Sequence, residues 1–169
     1  MAENLDRIPR LLGDALVLVT GAGQGNGRAI ALGVAAAGAK VIVTDVRQDT
    51  AQSVADEIQA RGGRATAYGL DVTDATACTE LAIRIAEEVG PANVLINNAG
   101  IIIRETIDSP RAPENWRRVM DVNVNGISMW CTRGCRLCVR RAETSSTLRR
   151  SLRSWAWEAI SAIRRRRAR

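Results

Sequence analysis

Thr20, Gly21, Gln24, Gly25, Asn26 and Gly27 stand in one eight-residue stretch, TGAGQGNG, whose residue types and spacing point to chemistry. Glycine takes positive φ without strain and carries no Cβ, so a turn built from Gly21, Gly25 and Gly27 lets a bulky anion approach the backbone. Where such a turn opens a helix, the unpaired N–H groups and the positive end of the helix dipole face that anion. The chemistry predicted is the holding of a phosphate or diphosphate. A carboxylate, Asp45, follows eighteen residues after Gly27. That is about the separation at which an acid accepts hydrogen bonds from the ribose hydroxyls of a dinucleotide. A carboxylate there also repels a 2′-phosphate, so NAD is favoured over NADP, although Arg47 lies close by.

The elements that must position these residues are legible around them. The apolar run at 15–19 reads as a buried parallel strand, and the segment from Arg28 through Ala37 as a small-residue helix stopped by Gly38. Residues 41–45 make a second buried strand ending on Asp45. Asp49 is expected to cap a helix reaching about Arg61, with Val54 and Ile58 on its inner face and Gly62-Gly63 as its stop. A third strand is expected over 65–70, closed by Asp71-Val72. Asp74 then caps a helix over 75–89 that turns Leu81, Ile85 and Val89 inward and ends at Gly90-Pro91. Residues 93–96 form a fourth strand running into Asn97-Asn98-Ala99-Gly100. After a loop through Pro110 and Pro113, residues 114–129 read as a helix carrying Trp116, Val119, Met120 and Asn123. Strands and helices alternating at these lengths imply right-handed crossovers and a parallel sheet. The fold class is α/β, an incomplete doubly wound sheet of Rossmann type with strand order 3-2-1-4.

Composition sets the outer limits. The chain has 169 residues, 46% of them hydrophobic, enough for one core. No run approaches the roughly 18 apolar residues of a membrane span, and Asp6 and Asp14 break any secretory h-region, so a cytoplasmic location is expected. The net charge of +6 conceals a division: residues 1–132 sum to −4, whereas residues 133–169 hold 12 Arg against Glu143 and Glu158, a net +10. The chain therefore divides into a nucleotide-binding portion, 1–130, and an arginine-rich tail, 131–169, of no assigned fold. Cys131, Cys135 and Cys138 cluster at the boundary, with Cys78 elsewhere. No histidine accompanies them, so thiols in a reducing compartment are expected and no metal site.

Taken together, Thr20-Gly21-x-x-x-Gly25-x-Gly27, Asp45, Asp71-Val72, Asn97-Asn98-Ala99-Gly100, and Asn123 within MDVNVNG resemble the classical short-chain dehydrogenase/reductase family. The motifs fall in the family's order and spacing over about residues 12–130. The resemblance implies hydride transfer between a nicotinamide dinucleotide and a small alcohol or carbonyl substrate. It assigns the phosphate turn to Gly21, Gly25 and Gly27, NAD selection to Asp45, and the adenine wall to Asp71 and Val72. It lays Asn98, Ala99 and Gly100 along the cofactor, where they also brace the sheet. Asn123 corresponds to the helix asparagine that helps hold a water of the proton relay. A homo-oligomer is also compatible with the family.

The family reaction needs a Tyr-x-x-x-Lys pair, because a phenol with a pKa of about 10 is a poor base at neutral pH unless a nearby lysine cation lowers it. This sequence has one tyrosine, Tyr68, and one lysine, Lys40, both before Asn123. Ser145 and Ser146 follow no apolar strand, and Trp155 and Trp157 cannot replace a phenol. Catalysis by the family mechanism is therefore not expected of these 169 residues. The tail from about Ser128 has the composition of a GC-rich coding sequence read out of frame, that is, of a truncated family member. Taken as it stands, Leu148, Leu152, Trp155, Ala159 and Ile163 recur at helical spacing among arginines. Such a segment could serve a basic module for a membrane surface or nucleic acid, although a charge run is more often a solvated tail.

Overall fold

The computed structural model describes residues 11–13, 15–106 and 108–131. Four parallel strands form one sheet in the order β3-β2-β1-β4, where β1 is Leu16–Val19, β2 Lys40–Asp45, β3 Arg64–Gly69 and β4 Val94–Ile96. The register aligns Val17 with Val41 on one side and with Val94 on the other. Helices α1 (Gly25–Ala36), α2 (Gln48–Ala60) and α3 (Ala75–Glu88) join successive strands. Beyond β4 a long helix follows: α4 (Ala112–Met120), a wider π-helical turn (Asp121–Asn125) and α5 (Gly126–Met129).

Alternation along the strands sends side chains to two cores. Leu16, Leu18 and Ile42 join Leu81, Ile85 and Trp130 on one face, while Val17, Val19, Val41 and Val43 join Leu32, Val54 and Ile58 on the other. The helix-covered faces explain why β1 and β2 are nearly continuous apolar runs. β4 is only half-buried throughout, in agreement with its expected place at the edge of this four-stranded sheet. Its start is pinned to β1: Asn93 Oδ1 accepts from Leu16 N at 2.5 Å, and Asn93 N donates to Leu16 O at 2.9 Å.

Two helix starts differ from the sequence expectation. The α2 cap is Arg47, whose extended backbone ends the turn after β2, and it makes no side-chain cap bond. Asp49 lies inside the first turn, where its charge meets the helix dipole instead. The helix expected from Glu114 begins at Ala112, with Pro113 in its first turn, where a missing N–H costs nothing. By contrast Asp74 caps α3 as expected, accepting from Thr76 N at 2.8 Å and Ala77 N at 2.9 Å. Across β3 and α3, Tyr68 OH donates to Glu88 at 2.8 Å, and Arg84 pairs with the same carboxylate at 2.8 Å. Burial, then Glu88, pushes the Tyr68 phenol up to about 12. Burial, helped by Asp74 and Asp71, raises the Cys78 thiol to about 11, which marks it as an inert core residue.

Candidate functional site

The glycine turn leaves the carboxyl end of β1 and is held open by tertiary contacts. Gly21 has φ 60° and Gly25 φ 53°, conformations costly for other residues. A Cβ on Gly21 would lie 2.7 Å from Ala99 Cα, so the chain after β4 presses directly on the turn. A Cβ on Gly27 would strike Gly21 O and come within 2.5 Å of Asn98 Nδ2. Gly25 is different: among the described residues nothing stands within 4 Å of its Cβ direction. The turn is thus tight against the protein at Gly21 and Gly27 and bare at Gly25.

Thr20 and Asn98 tie the turn to the fourth strand's continuation. Thr20 Oγ1 accepts from Asn98 N at 3.0 Å and Ala99 N at 3.1 Å. Asn98 Nδ2 donates to Thr20 O at 3.0 Å and Gly21 O at 2.9 Å. These bonds occupy the carbonyls of Thr20 and Gly21 and fix the turn against the segment that follows β4. Helix α1 starts there from Gln24, without a side-chain cap and without an acid in its first turn. That end of the helix presents its positive pole without an acid of its own, the Asp45 carboxylate meeting the turn one step earlier at Gly23 N.

Asp45 sits 9% exposed at the end of β2. Its Oδ2 accepts from Gly23 N at 2.9 Å and its Oδ1 from Arg47 N at 3.2 Å. Asp71, at the end of the third strand's continuation, accepts from the backbone N of Thr73 at 2.9 Å and its hydroxyl at 2.7 Å. Val72 is buried beside it, and a Cβ on Gly126 would lie 2.7 Å from Val72 Cγ2, so the long helix packs against this wall. Asn123 Oδ1 accepts from Ile101 N at 2.8 Å and its Nδ2 donates to Ile101 O at 3.0 Å. Both polar ends of Asn123 are taken up by Ile101, and its π-helical turn lies between that tie and the Gly126 contact.

These elements enclose one cleft of roughly 1160 Å³, lined by Gly21, Gln24, Gly25, Asn26, Gly27, Asp45, Asp71, Val72, Asn98, Ala99 and Gly100 among others. Every residue expected to meet a dinucleotide lines it except Thr20, which acts from behind the turn. Asn123 is also absent from the lining and reaches the site through Ile101, which is present. Sequence reasoning did not single out Gly23, Gly126, or Arg117 and Arg118, which line the far wall. Gly126 carried a signal, since a glycine inside a helix is unfavourable by about 1 kcal/mol and usually marks a close approach. Cys135, Cys138, Ser145, Ser146, Trp155, Trp157 and the helical spacing read in the tail lie outside the described residues. Among the described residues no cluster could hold a metal ion, and no helix is long and apolar enough to cross a membrane.

A parallel sheet with a glycine turn, a strand-end acid and an uncapped helix start converging on one cleft defines a doubly wound α/β protein of Rossmann type. The chain belongs to the short chain dehydrogenase family, whose sequence profile matches residues 15–145. The match runs past residue 130, where the motifs read from sequence end. "Probable oxidoreductase EphD" of Mycobacterium tuberculosis (strain H37Rv) is 43% identical over 120 residues, which are 70% of this chain and 20% of that protein. A short-chain type dehydrogenase/reductase from Mycobacterium marinum superposes with a TM-score of 0.71 at 32% identity, covering 79% of this chain and 53% of that one. A 7 alpha-hydroxysteroid dehydrogenase solved with NADH and 7-oxo glycochenodeoxycholic acid gives 0.67 at 34% identity, covering 79% and 49%. The chain thus spans about half the length of these solved relatives and a fifth of the mycobacterial oxidoreductase.

Proposed function

We propose that this chain is the nucleotide-holding portion of a nicotinamide-dependent oxidoreductase and that NAD is its preferred dinucleotide. The observation that carries the reading is the bare, uncapped start of α1 in the turn over residues 24–27, opening into a cleft whose next corner is the carboxylate of Asp45. The residues present fit the group. Among the described residues Gly25 offers clear space at the open start of α1, where a diphosphate needs it, and Asp45 lines the same cleft. In this reading Gly21, Gln24, Gly25, Asn26 and Gly27 hold the diphosphate, with Thr20 fixing the turn from behind. Asp45 accepts the adenosine ribose hydroxyls and disfavours a 2′-phosphate. Asp71 and Val72 flank the adenine, and Asn98, Ala99 and Gly100 carry the floor toward the nicotinamide end. When bound, the dinucleotide supplies the hydride donor or acceptor for an alcohol–carbonyl interconversion.

Asn123 takes a positioning role, anchoring Ile101 to the long helix rather than touching a reacting atom. Tyr68 cannot act as the proton-transferring phenol, since it is buried in the core beneath α3 and outside the cleft lining, pairs with Glu88 and is held near 12. The 169-residue chain is therefore proposed to bind the dinucleotide weakly, chiefly through its ADP-ribose part, and not to turn it over by a Tyr–Lys relay. Calorimetric titration with ADP-ribose, NAD and NADP tests this. The expected result is saturable binding of the first two with similar, micromolar or weaker affinity, and weaker binding of NADP. Absence of saturable ADP-ribose binding would sink the nucleotide reading. Sustained NADH production from simple alcohols would sink the assignment of inactivity.

A further inference from the structure

Asp45 has two partners that the ribose-binding role does not require. Its Oδ2 accepts the amide of Gly23, in the middle of the glycine turn, at 2.9 Å, and its Oδ1 accepts the amide of Arg47 at 3.2 Å. The turn is pressed onto this carboxylate. A Cβ on Gly23 would lie 2.8 Å from Asp45 Oδ2 and would also strike Thr50 Oγ1. Thr50 is itself fixed, donating to Arg47 O at 2.8 Å. The carboxylate therefore bridges the end of β2, the start of α2 and the glycine turn. An ionised carboxylate has about four lone-pair sites, so two backbone bonds leave acceptors for two hydroxyls.

Resting on the nucleotide reading above, we propose that Asp45 is a positioning residue for the diphosphate turn as well as an acceptor for the ribose. Through Gly23 it holds the turn in the shape that presents the amides of residues 25–27 to the cleft. Selectivity for the unphosphorylated ribose and grip on the diphosphate are then coupled in one side chain. Replacing Asp45 to admit NADP also weakens the hold on phosphate unless the new residue accepts from Gly23.

The test separates the two roles by ligand. ADP-ribose carries the adenosine ribose hydroxyls; 2′,3′-dideoxyadenosine 5′-diphosphate carries the diphosphate without them. Both are titrated calorimetrically into the full chain and into D45A and D45N. A ribose-only role leaves the dideoxy ligand's affinity unchanged in D45A. The proposal expects D45A to weaken that ligand by about tenfold, the worth of a charge-assisted hydrogen bond. In D45N, whose amide oxygen can still accept from Gly23, the dideoxy ligand recovers to within about threefold of wild type, while ADP-ribose stays weakened. If D45A does not fold, D45S gives the same comparison with a group too short to reach Gly23. Dideoxy affinity in D45A or D45S within about twofold of wild type overturns the proposal while leaving the nucleotide reading intact. Wild-type chain that binds ADP-ribose but not the dideoxy ligand overturns it too, since the turn then holds no diphosphate unaided. Failure of wild type to bind either ligand removes both readings.

Discussion

Gly27 illustrates how one missing atom can decide a site. Its φ is ordinary, so nothing about the local backbone demands glycine; the demand comes from Gly21 O and Asn98 Nδ2 crowding the place where a Cβ would stand. The Gly27→Ala chain must move the turn that Asn98 braces. It is expected to lose about 1–3 kcal/mol of stability, the usual cost of overpacking, read as a lower urea midpoint at unchanged m-value. Its ADP-ribose affinity should fall with it, because the displaced carbonyl of Gly21 approaches the cleft. A variant with wild-type midpoint and affinity would show that the crowding is relieved at no cost. The glycine pattern itself was plain in the sequence. The clamp that makes Gly27 obligatory was not, because Asn98 arrives from seventy-one positions later.

Elements show the same division in another form. The cap of α3 by Asp74 is a local motif and was readable. The cap of α2 was misplaced, since Arg47 owes its position to the Asp45 carboxylate rather than to any capping ability of its own. The link between β3 and α3 was not legible at all: Tyr68, Glu88 and Arg84 meet only once the crossover has folded. This link yields a measurable pH effect. The Tyr68 pKa is raised in the folded chain, so its contribution to stability is complete below the unfolded value of about 10 and is lost as pH rises through about 12. As the sequence holds one tyrosine, tyrosinate absorbance reports it alone. A midpoint near 12 is expected in native buffer and about 10 in concentrated urea. Coincident midpoints would mean that the burial of Tyr68 and its bond to Glu88 are not maintained.

Across the whole molecule, burial falls from the middle of the sheet outward. Val17, Val19, Val41 and Val43 are fully buried between two layers of helix, while Val94, Leu95 and Ile96 are half-buried on a strand paired to one described neighbour. Trp130 closes the core on the α3 side at 1% exposure, and among the described residues its indole N–H has no hydrogen-bond partner. Hydrogen exchange should follow this gradient, with β1 and β2 amides slowest and those of Leu95 and Ile96 exchanging well before them. Uniform protection across all four strands would indicate that β4 gains a second pairing partner. A strand edge with no partner among the described residues, such as that of β4, favours association between chains wherever it is left open.

The sequence alone determined the succession of elements, the glycine turn and the acid at the end of β2, because each rests on local patterning: short apolar runs between helical segments, glycine at turns, carboxylates at strand ends; the sheet order followed from the fold class that this pattern implies. Only the folded chain decided which of these residues touch one another. Thr20 and Asn98 lock the turn, Asp45 grips Gly23, Asn123 is consumed by Ile101, and Trp130 is driven into the core. Those contacts join positions separated by 22 to 79 residues in several of the cases measured. No periodicity or spacing encodes such pairings; they exist because packing helices on both faces of a parallel sheet brings the carboxyl ends of its strands to a common edge.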